Sequence, residues 1–336
     1  MKFQFTLNNN IGPTTIKQGR NMIFDGTPEN YPNINLAFKV FCCDRKPPKE
    51  TTLFIDMLLN YQDRDPVKWI KILNSNHNYR GFVMELEFYK KFHDNKYVIK
   101  LKGLTSTAYL GETFKKFSQN EYPLFIFDKY DYDLLQWVNY MGSNDMTTTI
   151  SQLKPIMLTL LKGLVEIHKQ GVIHHDIKCA NILFMKNPPS VVFCDFGAAI
   201  YKENTVKNKK IYLSTICNRA PERFLELDFD ERVDVYGLGC VFYILIAGGP
   251  LFPCFKDNTR DEVVKCLTQR RNVIKRLHKT IKDVLFRDLL IKMLKFKKDD
   301  RLFAMDCLNH RFFMKKRKRY SRKTTIKQRK HKRIKF

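Results

Sequence analysis

Apolar and polar positions follow several registers along this chain. Short apolar runs predict strands at Phe3 to Leu7, at Ala37-Phe38-Lys39-Val40 with one lysine inside it, and at Leu124 to Phe127. Helical spacing takes over elsewhere. In V-M-E-L-E-F-Y-K-K-F, starting at Val83, the residues Leu86, Tyr89 and Phe92 form an apolar stripe. Thr51 to Tyr61 and Pro66 to Leu73 read as two short amphipathic helices, the second with Asp65 as cap and Pro66 as first helical residue. Ile150 to Lys169 predicts a longer amphipathic helix. The most apolar run, Val241 to Phe252, is far too short to span a membrane.

With 336 residues, 44% of them hydrophobic, the chain is long enough for two modest domains or one large bilobal one. Charge changes the picture most. Lys plus Arg total 60 against 34 acids, a net charge of +26. Lys315 to Phe336 holds 13 basic residues and no acid, a self-repelling block expected to stay unstructured until it meets an anion. Its first five residues, Lys315 to Arg319, suit nuclear import, and Lys315 to Lys335 suit nucleic acid or another polyanion. A tail that is merely solvated is the plain alternative. Nine cysteines without a C-x-x-C pair are expected to be reduced thiols of an intracellular protein, nuclear rather than strictly cytoplasmic. The first residues lack the apolar core of a secretory signal.

Candidate chemistry concentrates in Val172 to Phe184, V-I-H-H-D-I-K-C-A-N-I-L-F, with Asp195-Phe196-Gly197 beyond it. The aspartate, the lysine two residues on and the asparagine three after that resemble the catalytic loop of eukaryotic-type protein kinases, and Asp195 heads a triplet resembling their metal-binding one. Phosphoryl transfer asks a protein mainly to position a hydroxyl and neutralise phosphate charge, so these residue types make chemical sense. The resemblance implies Asp176 as the residue orienting the hydroxyl, Lys178 against the γ-phosphate, and Asn181 and Asp195 as oxygen ligands of Mg²⁺. Lys178 at this spacing fits serine/threonine specificity.

Further correspondences run from about Ile16 to Phe313. The expected fold is α+β and bilobal, with a small β-rich lobe at 16–127, an insert at about 44–78 and a mainly helical lobe at about 131–313. Residues 1–15 form a leading segment and 314–336 the tail. Resemblance places Ile16 and Gly19 in the hairpin covering the ATP phosphates, although Lys17 and Met22 stand where its outer glycines would be. Ile23, Ala37 and Leu183 would sandwich adenine, and Lys39 would pair the α- and β-phosphates. Glu85 is the preferred partner of Lys39, with Glu87 as runner-up. Phe127, Asp128 and Tyr130 match the hinge, and Asp133 is placed either to meet ribose or to cap the next helix. The insert is expected to be either an extra packed layer or a surface for a regulatory partner.

In the second lobe, Ala220-Pro221-Glu222 and Thr215 match the segment that receives protein substrates. Arg301 matches the partner of Glu222, and Asp234 a brace beneath the catalytic loop. His175 replaces the arginine that usually precedes the catalytic aspartate and meets a phosphorylated segment. His174 reads as a packed core imidazole, and Cys194 should lie near the ATP site. An active ATP- and Mg²⁺-dependent kinase acting on protein hydroxyls is the leading expectation. A pseudokinase scaffold binding partners through tail and insert is the alternative. Strong positive charge would steer such an enzyme towards acidic or nucleic-acid-bound substrates.

Overall fold

The computed structural model describes residues 5–10, 22–28, 35–41, 80–106, 123–146, 148–205, 216–252 and 260–314. Ile16, Gly19, the 44–78 insert, Thr215 and the basic tail lie outside them.

The amino-terminal lobe is an antiparallel sheet of β1 (Phe5–Asn10), β2 (Met22–Pro28), β3 (Leu36–Val40), β4 (Leu101–Ser106) and β5 (Pro123–Asp128), in the order β1-β2-β3-β5-β4. Strand β3 lies between two neighbours, so both its edges are paired, and Phe38 and Val40 on one of its faces are fully buried. Side chains alternate across a strand. Ala37 and Lys39 therefore share the face opposite Phe38 and Val40, and the register sets Ala37 against Phe127 and Lys39 against Ile23. Helix α1 (Arg80–Lys91) presents Phe82 to an aromatic cluster with Phe41 and Phe125, ring centroids 4.7–5.0 Å apart. That packing fixes α1 beside the central strand.

One expected boundary moves. The strand predicted at Phe3 to Leu7 is β1, and it pairs with β2 from Phe5↔Pro28 to Asn10↔Phe24. The sheet thus starts by residue 5, and a division at residue 16 would cut through its first hairpin. Without β1, the outer backbone groups of β2 would form an open edge.

The second lobe begins with β6 (Tyr132–Asp133), α2 (Leu134–Ser143) and α3 (Ile150–Lys169). Thr149 and Gln152 close a reciprocal capping box at the start of α3, satisfying end amides that would otherwise lack partners. Short strands β7 (Val172–Ile173), β8 (Ile182–Met185), β9 (Ser190–Phe193) and β10 (Ile200–Tyr201) carry the loops of the cleft. Then follow α4 (Pro221–Phe224), α5 (Arg232–Ala247), α6 (Arg260–Arg271), α7 (Val273–Thr280), α8 (Val284–Met293) and α9 (Ala304–Leu308).

Helix α5 is apolar around nearly its whole circumference and is buried from Arg232 to Leu245. Such a helix belongs in the middle of a fold, which accounts for the apolar run read at Val241. At Gly237 a Cβ would lie 3.0 Å from the Ile177 carbonyl oxygen. Glycine there lets α5 pass directly beneath the loop that carries Asp176. No helix among the described residues is long and apolar enough to cross a membrane.

Cysteine chemistry departs from expectation. Cys179, Cys194, Cys240 and Cys307 are free, but Cys217 is disulfide-bonded. Spacing without C-x-x-C pairs rules out only near-neighbour bonds, and folding brings distant cysteines together.

Candidate active site

The loop between β7 and β8 is held from below by Asp234 of α5. One carboxylate oxygen, Oδ2, accepts the His174 amide at 2.8 Å and His168 Nε2 at 3.0 Å, while Oδ1 accepts the His175 amide at 2.7 Å. Burial would push this carboxyl up, but the hydrogen bonds from His168 and the His174 amide hold it below the ordinary aspartate range. His174 is fully buried, its ring 4.8 Å from that of Phe196. Its Nε2 lies 3.0 Å from the Cys194 carbonyl, so that nitrogen carries the proton.

Above this brace the three polar residues converge. Lys178 Nζ is 2.7 Å from Asp176 Oδ2, and Asn181 Nδ2 donates to the Asp176 carbonyl at 2.9 Å and to Oδ2 at 3.1 Å. Asp176 is 8% exposed. A short 3-10 turn, Cys179–Asn181, returns Asn181 towards Asp176.

Across the cleft, Lys39 Nζ sits 2.7 Å from both carboxylate oxygens of Glu85 and 2.8 Å from Asp195 Oδ1. Burial disfavours the ammonium, yet Asp195 and Glu85 outweigh it and raise the Lys39 pKa above its usual value. Lys39 in turn holds Asp195 down to about 2 against the effect of burial. Both groups are charged at neutral pH. Glu87 points elsewhere, accepting the Tyr201 hydroxyl at 2.5 Å.

Backbone conformation aims Asp195. Its φ of 62° and ψ of 74° are left-handed, costly for a residue with a Cβ. The turn sends Phe196 into a pocket of Tyr89, Phe92 and His174, with centroid separations of 5.6, 5.2 and 4.8 Å. Asp195 then faces the cleft with 43% of its side chain exposed. At Gly197 a Cβ would come within 3.3 Å of Asp195 Oδ1, so the small residue leaves the carboxylate room.

Behind the ion pair lies a cleft of about 840 Å³, counted out to its open mouth, lined in part by Ile23, Ala37, Phe127, Asp128, Tyr130 and Leu183. Asp133 is the helix cap, one of its two expected roles. It lines the cleft, and its Oδ1 accepts the Gln136 amide at 2.8 Å as the N-cap of α2. Lys129, on the same rim, forms an ion pair with Asp25 of β2, joining the hinge to the sheet.

Cys194 also lines the cleft, with its thiol pKa pushed well above normal by burial and then by Asp195. A thiolate is the reactive form. Cys194 is therefore expected to alkylate with iodoacetamide at pH 7.5 at least about tenfold more slowly than a free cysteine of ordinary pKa near 8.5, as measured by peptide mass spectrometry. Labelling as fast as free cysteine would show an ionised thiol.

In the second lobe, Arg301 grips Glu222 with Nη1 to Oε1 at 2.7 Å and Nη2 to Oε2 at 2.9 Å. Sequence reasoning anticipated that pair but missed two other contributors. Tyr89 bridges the site, donating to Glu85 Oε1 and accepting the Asp195 amide, both at 3.1 Å. Its position four residues after Glu85 puts both on one helical face, a signal hidden because tyrosine also completes the apolar stripe. Arg270, 1% exposed, donates to the carbonyls of Ile216 at 2.7 Å and Arg219 at 3.1 Å and lies 4.6 Å from the Phe224 ring. In T-Q-R-R it reads as an ordinary polar helix end.

A small antiparallel sheet set on a helical lobe, with a lysine–glutamate pair facing an acidic loop across a deep cleft, is the architecture of the two-lobed kinases. The chain belongs to the protein kinase domain family, whose profile matches residues 60–313. Lys39 lies ahead of the matched stretch and enters the site through the register of β3. Over 177 residues the chain is 33% identical to mitogen-activated protein kinase hog1 of Blastobotrys adeninivorans, covering 45% of this chain and 43% of that protein. It is 31% identical over 143 residues to homeodomain-interacting protein kinase 1 of Caenorhabditis elegans, 42% of this chain and 16% of that one. With cyclin-dependent kinase 9 of Xenopus tropicalis the identity is 27% over 221 residues, 56% and 57% of the two chains. The chain thus spans less than two thirds of the length of each of these relatives.

Proposed function

We propose that this chain is an active serine/threonine protein kinase, taking the γ-phosphoryl group of Mg²⁺-bound ATP to protein hydroxyls. The observation that carries the reading is the Lys39–Glu85–Asp195 triangle facing Asp176, Lys178 and Asn181. The donor set suits the nucleotide and its metal. Asp195 offers an ionised, part-exposed carboxylate and Asn181 an amide oxygen, hard donors of the kind Mg²⁺ takes alongside phosphates. When bound, Mg²⁺-ATP supplies the phosphoryl group and neutralises its charge.

The chain's own groups divide the remaining work. Lys39, fixed from two sides, pairs with the α- and β-phosphates without reorganising, and Lys178 serves the γ-phosphate. Asp176 orients the substrate hydroxyl and accepts its proton. Ala37, Ile23 and Leu183 flank adenine, and Phe127 to Tyr130 form the hinge beside it. Ile16 and Gly19 would cover the phosphates. The proposed kinase domain runs from residue 5 to about 313, with 314–336 as a basic tail for the nucleus, nucleic acid or another polyanion and the 44–78 insert as either an extra packed layer or a regulatory surface. The scaffold alternative finds no support in the family match or in this geometry.

The test is transfer of labelled phosphate from ATP to a mixed protein substrate, followed by phosphoamino-acid analysis. Expected are phosphoserine and phosphothreonine, with transfer abolished by a magnesium chelator. Phosphotyrosine alone would overturn the specificity, and no transfer by the folded protein would overturn the activity.

A further inference from the structure

His175 occupies an uncommon position. Its φ of 66° is left-handed, its ring is buried, and its backbone amide is anchored on Asp234. The ring lies flat on Phe229, centroids 5.2 Å apart at an interplanar angle of 9°. Arg223, from α4, places its guanidinium 4.0 Å over the same phenyl ring and donates Nε–H to His175 Nε2 at 2.9 Å. Phe229 is thus a shared platform for a cation and an imidazole that hydrogen-bond to each other.

Tautomer logic follows. Nε2 accepts from Arg223, so the ring is neutral with its proton on Nδ1. Arg223 on α4 opposes a second cation, while Asp234 on α5 and Asp176 on the same loop favour one. Burial first, and then Arg223, outweigh the two carboxylates and push the His175 pKa down to about 4. Arg223 itself is pushed down to about 10 by burial and by Arg219, and remains charged.

Covalent adjacency gives the contact its meaning. His175 precedes Asp176, and Arg223 follows Glu222, which Arg301 grips from the opposite side. The four-residue α4 therefore reaches the loop bearing the proposed base through Arg223 and the lower lobe through Glu222. We propose that His175 and Arg223 are positioning residues, forming a clasp of a neutral imidazole and a guanidinium that sets Asp176 against the substrate-receiving segment without a phosphate group bridging them. This rests on the phosphotransfer reading for its catalytic consequence, though the clasp itself can be observed without activity.

Two readouts test it. The first is steady-state transfer by His175→Leu, which removes the acceptor, and His175→Gln, whose amide oxygen can take its place. After phosphatase treatment, wild type is expected to keep its rate, His175→Leu to lose at least about tenfold in kcat with KM for ATP changed less than about threefold, and His175→Gln to stay within about threefold of wild type. A purely structural role would lower the melting temperature of His175→Leu with kcat per folded molecule unchanged. That result, failure of glutamine to rescue, or loss of wild-type activity on phosphatase treatment would overturn the proposal.

The second readout is the His175 ring signal in ¹³C-labelled protein by NMR. Wild type is expected to stay neutral down to pH 5, and Arg223→Leu to titrate at higher pH. An ordinary titration near pH 6.5 in wild type would overturn the clasp, whereas a neutral ring in an inactive protein would sustain it and count against the kinase reading.

Discussion

Asp195→Asn is expected to fold, though less stably than wild type because its ion pair with Lys39 is lost, and to transfer phosphate at least roughly 10³-fold more slowly, a loss in the range set by removing a preorganised charge from a reacting site. Asparagine keeps the shape and can still accept a hydrogen bond from Lys39, which retains Glu85 at 2.7 Å. Charge is what disappears. The sign of the pH effect supports this reading: Lys39 holds Asp195 down to about 2, so its stabilisation is complete above the ordinary carboxylate pKa of about 3.9 and is lost as pH falls through about 2. At neutral pH the wild-type group is fully ionised, and the variant differs by one whole charge. Lys39→Met should cost more stability. It removes the cation and leaves the fully buried Glu85 without its partner, a change that costs about 3–5 kcal/mol when a buried pair is broken. Measuring transfer rate and urea midpoint for both variants decides the matter. An Asp195→Asn enzyme within tenfold of wild type would show that the carboxylate does not hold the metal.

Residues whose chemistry is carried by type and local spacing were the readable ones. Asp176, Lys178 and Asn181 sit within six positions of one another, so no knowledge of the fold was needed to group them. Glu85 could be preferred over Glu87 because helical spacing puts one on the apolar stripe and the other off it, and Glu87 does turn to Tyr201. Contacts between distant segments were unreadable. Arg223 meets His175 across 48 positions and Arg270 meets Ile216 across 54, and nothing local distinguishes these arginines from solvent-facing ones. The strand at β1 was legible, but its membership of the sheet depended on pairing with β2, which local pattern does not encode. Cys217 was misread for the same reason.

Arg301→Met is expected to be the most destabilising of the pair substitutions, and more so than Glu222→Gln, although each breaks the same ion pair. Both side chains are buried, Arg301 at 0% and Glu222 at 5% exposure. The asymmetry lies in what each leaves behind. Without Glu222, the guanidinium still donates to the carbonyls of Arg232 at 3.0 Å and Lys295 at 3.0 and 3.2 Å, and glutamine supplies one acceptor, so the loss is about 1–3 kcal/mol. Without Arg301, the buried Glu222 carboxylate loses both donors of its bidentate ion pair. An uncompensated buried charge of this kind costs about 3–5 kcal/mol, or a drop of about 10 °C in melting temperature for a domain of this size. Removing both charges with Arg301→Met and Glu222→Leu should recover at least about 1 kcal/mol relative to the sum of the single losses, because the two sites are in contact. Urea midpoints for wild type, Arg301→Met, Glu222→Leu and the double variant close the cycle. If Arg301→Met cost no more than Glu222→Gln, the carboxylate would have to be protonated or hydrated in solution, and α4 would lose its anchor to the lower lobe. The same substitution also probes catalysis, since Arg223 is held in place by the turn that Glu222 anchors. Arg301→Met should therefore weaken the His175 contact at temperatures where the rest of the lobe stays folded.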